Sequence, residues 1–387
     1  MHSKIQAAIA SFSAFISVRM IAALVPIFVF PVYFDAYLYY VPAGIAYVKG
    51  ALPDSVNPEH PPLAKYIIGF FAVYLNNATL ASLLFSVLTA VVAFYLVEKM
   101  GGNGSIAVWL LAFEIETVSL ALYPMLDGFM LFFALLGLYF IWEGTRILDM
   151  MVGGVSFGLA IASKWEAFFL AIPVLIFVLS EKKWLAAGLA TAFAVLTYIC
   201  SYLSFIAAKG FGAFIGLQIW MGQFALASHA SIATPIMILN KLVGTFIFHT
   251  TTYGRVTGYD SGLHPEAFRL LGTNYISFAD SIGAPVLLLY LPVMYWCFRK
   301  WRKSRASRLV VLLLSGILAW EISLGNAIET WFFAPGAIIV ALTLGLVMNW
   351  RPKLRRVDYL YLAIAALWPI YAASLILVRI ALYWTAI

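Results

Sequence analysis

The chain of 387 residues is 64% hydrophobic and only 11% charged, and its mean hydropathy is +0.96. A soluble domain carries roughly 25% charged residues, so this composition excludes a water-soluble globule and a disordered chain. The net charge of +7 does not indicate nucleic-acid binding, because most of the 24 Lys and Arg residues flank apolar segments, as membrane topology requires.

Apolar stretches that can cross a bilayer follow one another along the whole chain. A helix needs about 20 apolar residues for this purpose. Eleven stretches are predicted as spans, at approximately 8–33, 79–97, 105–122, 127–143, 148–162, 165–180, 184–207, 282–298, 309–326, 331–349 and 358–379. Ser163–Glu166 separates two short stretches, which predicts either a broken helix or a hairpin there. The expected fold is an all-α multispanning membrane protein with one module over residues 1–387.

The distribution of basic residues predicts the orientation of these spans. With a cytoplasmic N-terminus, 15 basic residues lie on the cytoplasmic side and 8 on the outer side, and Arg19 lies inside the first span. Such a bias predicts an N-terminus inside and a C-terminus outside. Two outer segments, 34–78 and 208–281, are too long to be turns, so functional residues are expected in these two loops.

Asp35 lies where the first span leaves the bilayer, and an aromatic run follows it at 37–40. A carboxylate at such a rim has restricted access to water and can act as a general base toward a hydroxyl that arrives from outside. An Asp in this position can equally cap the helix that follows. The position alone leaves both roles open.

The loop returns to the membrane through the sequence His-Pro-Pro-Leu-Ala-Lys at 60–65. The two prolines restrict the backbone and prevent a helix at that point. Lys65, held at the interface, suits a lipid phosphate because an ammonium is a compact charge with three donors. A lysine there can also serve as an anchor for the next helix, with its charge in the headgroup region.

The segment from Asp35 to Lys65, above all the 60–65 motif, resembles the first luminal loop of the dolichyl-phosphate-mannose protein O-mannosyltransferases. These are multispanning enzymes of the GT-C glycosyltransferase class. Further agreement in order and spacing comes from Arg19, from 125–133 at the start of the fourth span, and from 158–165 near the fifth. The resemblance implies a GT-C fold with about 11 transmembrane helices and two long outer loops, the layout that hydropathy and charge also predict.

The resemblance implies an inverting transfer of mannose, or a related hexose, from a polyprenyl (dolichyl) phosphate carrier to Ser or Thr hydroxyls of proteins outside the cytoplasm. Asp35 matches the catalytic acid position and would take the acceptor proton. The leaving phosphate is already an anion and needs charge stabilisation. The donor-phosphate ligands are then some or all of Lys65, Lys164 and Arg19. The sugar or pocket residues are His60, Asp127 and Glu59.

No metal or other cofactor is predicted, because the sugar–phosphate bond is labile and the sequence has no Asp-x-Asp or His/carboxylate cluster. The expected partners are the lipid-linked sugar, an acceptor protein and membrane lipids, and no nucleic acid; a monomer and a dimer both remain open. The soluble β-trefoil insertion of eukaryotic members is absent. This absence favours a prokaryotic cell membrane over the endoplasmic reticulum.

Ala36 stands where family members carry a second acid. Three nearby acids are candidates for the missing carboxylate: Glu59, Asp54 and Glu166. A lipid-directed enzyme resembling the aminoarabinose transferases is the alternative within the class, but their loop has a Lys-Pro-Pro-Leu pattern, so His60 favours the protein-directed branch.

An alternative of another class is a proton-coupled transporter with acidic relay groups. That function predicts inverted repeats, and none is found in the sequence. Its relay residues would be Glu114, Glu116, Asp127 and Glu321.

Overall fold

The structure is a computed structural model that describes residues 2–24, 35–144, 146–229, 290–301, 304–323 and 334–347, with Ala363, Leu367 and Ile370. Over these residues every regular element is helical and no strand occurs. The first seven α-helices are α1 (His2–Leu24), α2 (Val41–Val48), α3 (Leu63–Tyr74), α4 (Thr79–Lys99), α5 (Gly104–Phe113), α6 (Ile115–Leu122) and α7 (Leu126–Glu143).

The later helices are α8 (Ile147–Ser163), α9 (Phe168–Ser180), α10 (Trp184–Cys200), α11 (Leu203–Lys209), α12 (Phe211–His229), α13 (Tyr290–Lys300), α14 (Arg305–Ser323) and α15 (Ala334–Val347). Two single turns complete the described elements, a π-helical turn at Ala36–Tyr40 and a 3-10 turn at Trp165–Ala167. The all-helical class that composition predicts is confirmed.

Two described helices are long and apolar enough to cross a membrane, over Lys4–Ala23 and Thr79–Lys99. Two bent pairs also qualify if each is one span: α5 with α6, bent by 71°, and α10 with α11, bent by 60°. Five shorter apolar helices accompany them. The eleven predicted spans stay a prediction, because much of 282–298 and most of 358–379 lie outside the described residues.

Helix α7 forms the centre of the described bundle, with α4 and α8 packed against it and α10 packed against α8. Almost every side chain from Leu126 to Leu138 is buried, as expected for a helix that is apolar all round. Phe85 of α4 lies against Phe129 and Phe132 of α7, with ring centroids 4.7 and 5.1 Å apart. The first turn of this buried helix carries Asp127.

The sequence left two arrangements open around Ser163–Glu166, and the structure shows two separate helices joined by a turn. Arg305 contacts the carboxylate of Glu181 at 2.7 and 2.8 Å and also donates to the carbonyl of Trp142. The end of α9 therefore lies beside the end of α7, close to where α8 begins. Lys164 and the turn that follows it lie at the opposite ends of α8 and α9.

Candidate active site

Asp35 begins a short pair of helices in the loop between the first two predicted spans. It precedes the π-helical turn and α2, is half-buried, and makes no side-chain capping hydrogen bond. Helix α3 packs closely against α2 where Gly69 faces Gly44, and a Cβ atom on either glycine would overlap the backbone of the other helix. The carboxylate of Asp35 is therefore not used as a helix cap, and the element that carries it is tightly packed.

The irregular part of this loop is held by side chains that bond to its backbone. The Tyr47 hydroxyl donates to the carbonyl of Pro53 at 3.1 Å and to that of Val56. Lys65 Nζ donates to the carbonyl of His60 at 2.8 Å and to that of Asn57. The loop thus has a defined conformation without regular secondary structure.

Lys65 is fully buried, and its ammonium is surrounded by loop backbone rather than by solvent. Burial lowers the pKa of Lys65 to about 7, and the nearby charge of Glu59 opposes that shift. A neutral amine still has two N–H donors, enough for the two carbonyls it contacts. These contacts order the loop, and the donor-phosphate role that the resemblance implies for Lys65 stays a prediction.

Lys164 and Asp127 form a buried ion pair between two segments that the sequence marks separately. Lys164 Nζ lies 3.0 and 3.1 Å from the two oxygens of Asp127, and 3.2 Å from Oε1 of Glu166. The side chains of Lys164 and Asp127 are 1% and 0% exposed, whereas that of Glu166 is 17% exposed. Lys164 has an extended backbone between α8 and the 3-10 turn, which directs its side chain to the start of α7.

The charges of this cluster act on Asp35. Burial raises the pKa of the Asp35 carboxyl, and the positive charge of Lys164 opposes that rise. The negative charges of Asp127 and Glu59 raise it further. The charges of Lys164, Asp127 and Glu59 therefore all act on Asp35, and four of the seven predicted site residues are electrostatically coupled.

His60 lies beside this cluster, with its ring against Tyr40, the last residue of the π-helical turn; their ring centroids are 5.8 Å apart. The side chain of Asn57 donates to Oε1 of Glu59. His60 and Glu59, two of the three predicted pocket residues, are thus held by the loop that begins at Asp35.

Arg19 lies at a break between α5 and α6, where the helix direction changes at Glu114. Its guanidinium donates to the carbonyls of Leu111 and Ala112 at 3.3 and 3.4 Å, and to the hydroxyl of Ser86 at 2.9 Å. Glu114 accepts from the backbone N–H groups at 116 and 117 and so caps α6. Arg19 thus satisfies carbonyls that the broken helix leaves without helical partners.

A small cavity of about 20 Å³ lies beside Arg19, room for about one water molecule. Its lining includes Thr117 and also Gly128, the residue after Asp127. Arg19 is therefore near the base of the α7 first turn, but its described bonds go to backbone and hydroxyl groups.

Contacts that sequence reasoning missed join the first outer loop to the helices beyond α9. Asp54 forms an ion pair with Lys209 at the end of α11, and the hydroxyl of Tyr66 lies 3.1 Å from that of Ser204. The indole of Trp165 donates to the hydroxyl of Tyr198 at 2.7 Å. The sequence does show an aromatic residue, Trp165, directly after Lys164. It gives no indication that Tyr198 of α10 is the partner of that residue.

A comparison with protein families matches residues 70–187 to the model described as dolichyl-phosphate-mannose-protein mannosyltransferase. The predicted resemblance is confirmed. The match includes the Asp127 and Lys164 segments and begins just after the 60–65 motif. No curated protein matches the sequence.

Solved structures with a similar fold are glycosyltransferases of the GT-C type. The apo oligosaccharyltransferase of Archaeoglobus fulgidus has a TM-score of 0.53 at 14% identity, covering 94% of this chain and 56% of that one. The AglB structure from the same organism, with an inhibitory peptide and a dolichol-phosphate, has a TM-score of 0.51 at 14% identity, covering 94% and 55%. ArnT from Cupriavidus metallidurans, bound to undecaprenyl phosphate, has a TM-score of 0.50 at 11% identity, covering 96% and 75%.

These similarities show the fold, and the predicted GT-C architecture is confirmed at that level. The chain spans little more than half the length of the archaeal oligosaccharyltransferase.

Proposed function

We propose that this protein is a membrane glycosyltransferase that moves mannose, or a related hexose, from a polyprenyl phosphate to Ser or Thr hydroxyls of proteins outside the cytoplasm. The observation that carries the proposal is that the half-buried Asp35 carboxylate lies within the electrostatic influence of the buried Lys164–Asp127 pair. The family match and the fold of enzymes solved with polyprenyl phosphates or peptides support the substrate class.

In this mechanism the Asp35 carboxylate takes the proton of the acceptor hydroxyl as its oxygen attacks the anomeric carbon. The bond from that carbon to the phosphate oxygen breaks, the polyprenyl phosphate leaves with the electron pair, and the configuration inverts. No general acid is required, because the leaving group is already an anion. Charge stabilisation of the phosphate is the remaining requirement.

Lys164 is the candidate for that role, because the described contacts commit Lys65 and Arg19 to backbone carbonyls. Lys164 contacts two carboxylates, and that of Glu166 is more exposed than that of Asp127. The second oxygen of Glu166, Oε2, is buried and has no hydrogen-bond partner among the described residues. A donor phosphate can replace Glu166 on Lys164 while Asp127 continues to hold the ammonium in place. Asp54 is paired with Lys209, so Glu59 and Glu166 are the candidates retained here for the second acid that Ala36 lacks.

The test uses the purified full chain in lipid nanodiscs with polyprenyl-phosphate mannose and Ser/Thr peptides. Mass spectrometry is expected to show a hexose added to the peptide, and Asp35→Asn should lower the rate at least 100-fold. The matched control is Asp149→Asn, a carboxylate in the first turn of α8, at the opposite end of that helix, which should leave the rate unchanged. Full transfer by Asp35→Asn would exclude Asp35 as the base.

Two further arms separate the alternatives. Transfer to a glycolipid acceptor but to no peptide would favour the lipid-directed alternative. EDTA should leave the rate unchanged, because no step in this mechanism uses a metal; a loss restored by added Mg²⁺ or Mn²⁺ would contradict that part of the proposal.

A further inference from the structure

A chain of hydrogen bonds runs from the turn that carries Lys164 to helix α12. Trp165 Nε1 donates to Tyr198 Oη at 2.7 Å, and Tyr198 Oη donates to Gln218 Oε1 at 2.6 Å. One turn further along α12, a Cβ atom on Gly222 would lie 3.9 Å from the Trp165 ring. The turn after Lys164 is therefore in direct contact with α12.

The direction of these bonds follows from the chemistry of the three groups. An indole N–H can only donate, so the Tyr198 oxygen accepts it and the Tyr198 proton must go elsewhere. Two oxygens are near that proton, Gln218 Oε1 at 2.6 Å and the hydroxyl of Tyr202 at 3.5 Å. The shorter contact is the effective one. The amide of Gln218 is thus oriented with its oxygen toward Tyr198.

This orientation leaves the amide nitrogen of Gln218 as the end of the chain. Gln218 Nε2 is buried, and in the described part of the protein it has no hydrogen-bond acceptor. Buried donors in folded proteins almost always have an acceptor, so an unused one calls for an explanation. A substrate atom that arrives at the site supplies such an acceptor.

We propose that Gln218 is a substrate-binding residue whose Nε2 donates to an oxygen of a bound substrate beside the Lys164–Glu166 turn. The oxygen belongs either to a hydroxyl of the donor sugar or to a carbonyl or hydroxyl of the acceptor. The inference rests on the proposed function for the identity of these substrates. Trp165 and Tyr198 are positioning residues in this arrangement, since they set the orientation of the amide.

The surroundings of the amide suit an uncharged polar group. The rings of Trp165, Tyr198 and Tyr202 lie around it, and the rings of Tyr198 and Tyr202 are 5.5 Å apart. The hydroxyl of Tyr202 donates to the sulfur of Met221 at 3.6 Å, and its oxygen faces the amide of Gln218 without forming a hydrogen bond of normal geometry with Nε2. Aromatic faces with one oriented neutral donor are a common way to hold a sugar or an amide.

Two substitutions separate a binding role from a structural one. Gln218→Glu keeps an oxygen that accepts from Tyr198 but, ionised at pH 8, has no donor; Gln218→Leu loses both. Both variants are expected to raise the KM of the same substrate about tenfold, the effect of one lost hydrogen bond. Both variants should lower the unfolding temperature in detergent, Gln218→Leu because the bond from Tyr198 is lost and Gln218→Glu because its charge is buried without a partner, so the KM values carry the test. The substrate whose KM rises identifies the source of the oxygen.

Tyr295→Phe is the matched control, because it removes an exposed tyrosine hydroxyl on α13, away from Gln218, and it should change neither KM. Wild-type KM values in Gln218→Glu would overturn the inference, because they would show that Gln218 only accepts the bond from Tyr198. If the wild-type protein transfers no hexose, the proposed function fails by itself. Gln218 is then tested by native mass spectrometry with polyprenyl-phosphate mannose and with peptide, where an unchanged Kd for both in Gln218→Glu would overturn it.

Discussion

Lys164 Nζ contacts both carboxylate oxygens of Asp127, at 3.0 and 3.1 Å, and joins two segments 37 positions apart in the chain. Both side chains are almost fully buried. Burial of each ion costs free energy of desolvation, and the attraction between the two ions offsets that cost. Removal of one partner would therefore leave the other charge buried and without compensation. The pair therefore fixes the turn after α8 against the first turn of α7, and its charges act on Asp35.

The first prediction concerns the stability of this pair. Asp127→Asn should lower the free energy of unfolding by about 3 kcal/mol, the lower end of the range for breaking a buried pair, because Glu166 still contacts Lys164. The double variant Asp127→Leu with Lys164→Met should recover most of that loss and still transfer hexose at a strongly reduced rate. Chemical unfolding in detergent measures the first effect and the peptide assay the second.

Lys183→Met is the control for charge removal. The Lys183 side chain is 36% exposed, so the loss of its charge should change the free energy of unfolding little. A double variant that is as unstable as the sum of its two single variants would show that the pair is not what makes each single change costly.

The second prediction concerns the pH dependence of transfer. A general base works when ionised, and burial raises the pKa of Asp35, so kcat/KM should rise with pH through a midpoint above the ordinary aspartate range. Lys164→Met removes the positive charge that opposes the rise and should move the midpoint to higher pH. Glu59→Gln removes a negative charge and should move it to lower pH.

The measurement is kcat/KM from pH 4 to 9, with Asp149→Asn as the control of unchanged profile. Shifts of the same sign in Lys164→Met and Glu59→Gln would contradict the assignment of the midpoint to Asp35.

The third prediction concerns Lys65 and protein stability. Its pKa is about 7 in the folded protein, below the ordinary value of 10.5, so the folded state binds fewer protons than the unfolded state between those values. The free energy of unfolding should therefore rise with pH from about 7 toward 10. In Lys65→Met this part of the pH dependence should disappear.

Urea or guanidinium unfolding at pH 7, 8 and 9 measures the slope. Lys49→Met, an exposed lysine at the end of α2, is the control and should keep the wild-type slope. A wild-type slope in Lys65→Met would exclude Lys65 as the titrating group.

The fourth prediction concerns the α2–α3 contact that positions Asp35. In Gly69→Ala the new Cβ atom overlaps the backbone at Gly44, so the two helices must separate. Transfer should fall at least tenfold, because small displacements of a catalytic group reduce the rate strongly. Gly188→Ala in α10, where nothing lies within 4 Å, should leave the rate unchanged. Equal rates in the two variants would show that this contact does not position Asp35.

Some site residues could be recognised from the sequence because each lies in a local pattern. Asp35 follows the first span and precedes aromatic residues, and Lys65 follows two prolines. The pattern did not separate a phosphate ligand from a loop-ordering residue at Lys65. That distinction depends on which carbonyls surround the ammonium, and these belong to Asn57 and His60 in an irregular loop.

Arg19 illustrates the same limit within the membrane. An arginine inside an apolar span indicated a special environment, because such a charge must be compensated. Arg19 donates to carbonyls at a helix break near Glu114, and one of these carbonyls belongs to Ala112, 93 positions further along the chain. The sequence contained two acids in that stretch but no sign of which one ends the helix.

By itself the sequence determined the all-helical membrane class and the family resemblance, because hydropathy and short motifs are local properties of the chain. Only the tertiary structure decided that Lys164 pairs with Asp127 near Asp35, that Lys65 and Arg19 bond to backbone, and that Gln218 ends a chain from Trp165. These relations depend on how helices distant in sequence pack together, and burial makes the resulting charge and hydrogen-bond contacts specific.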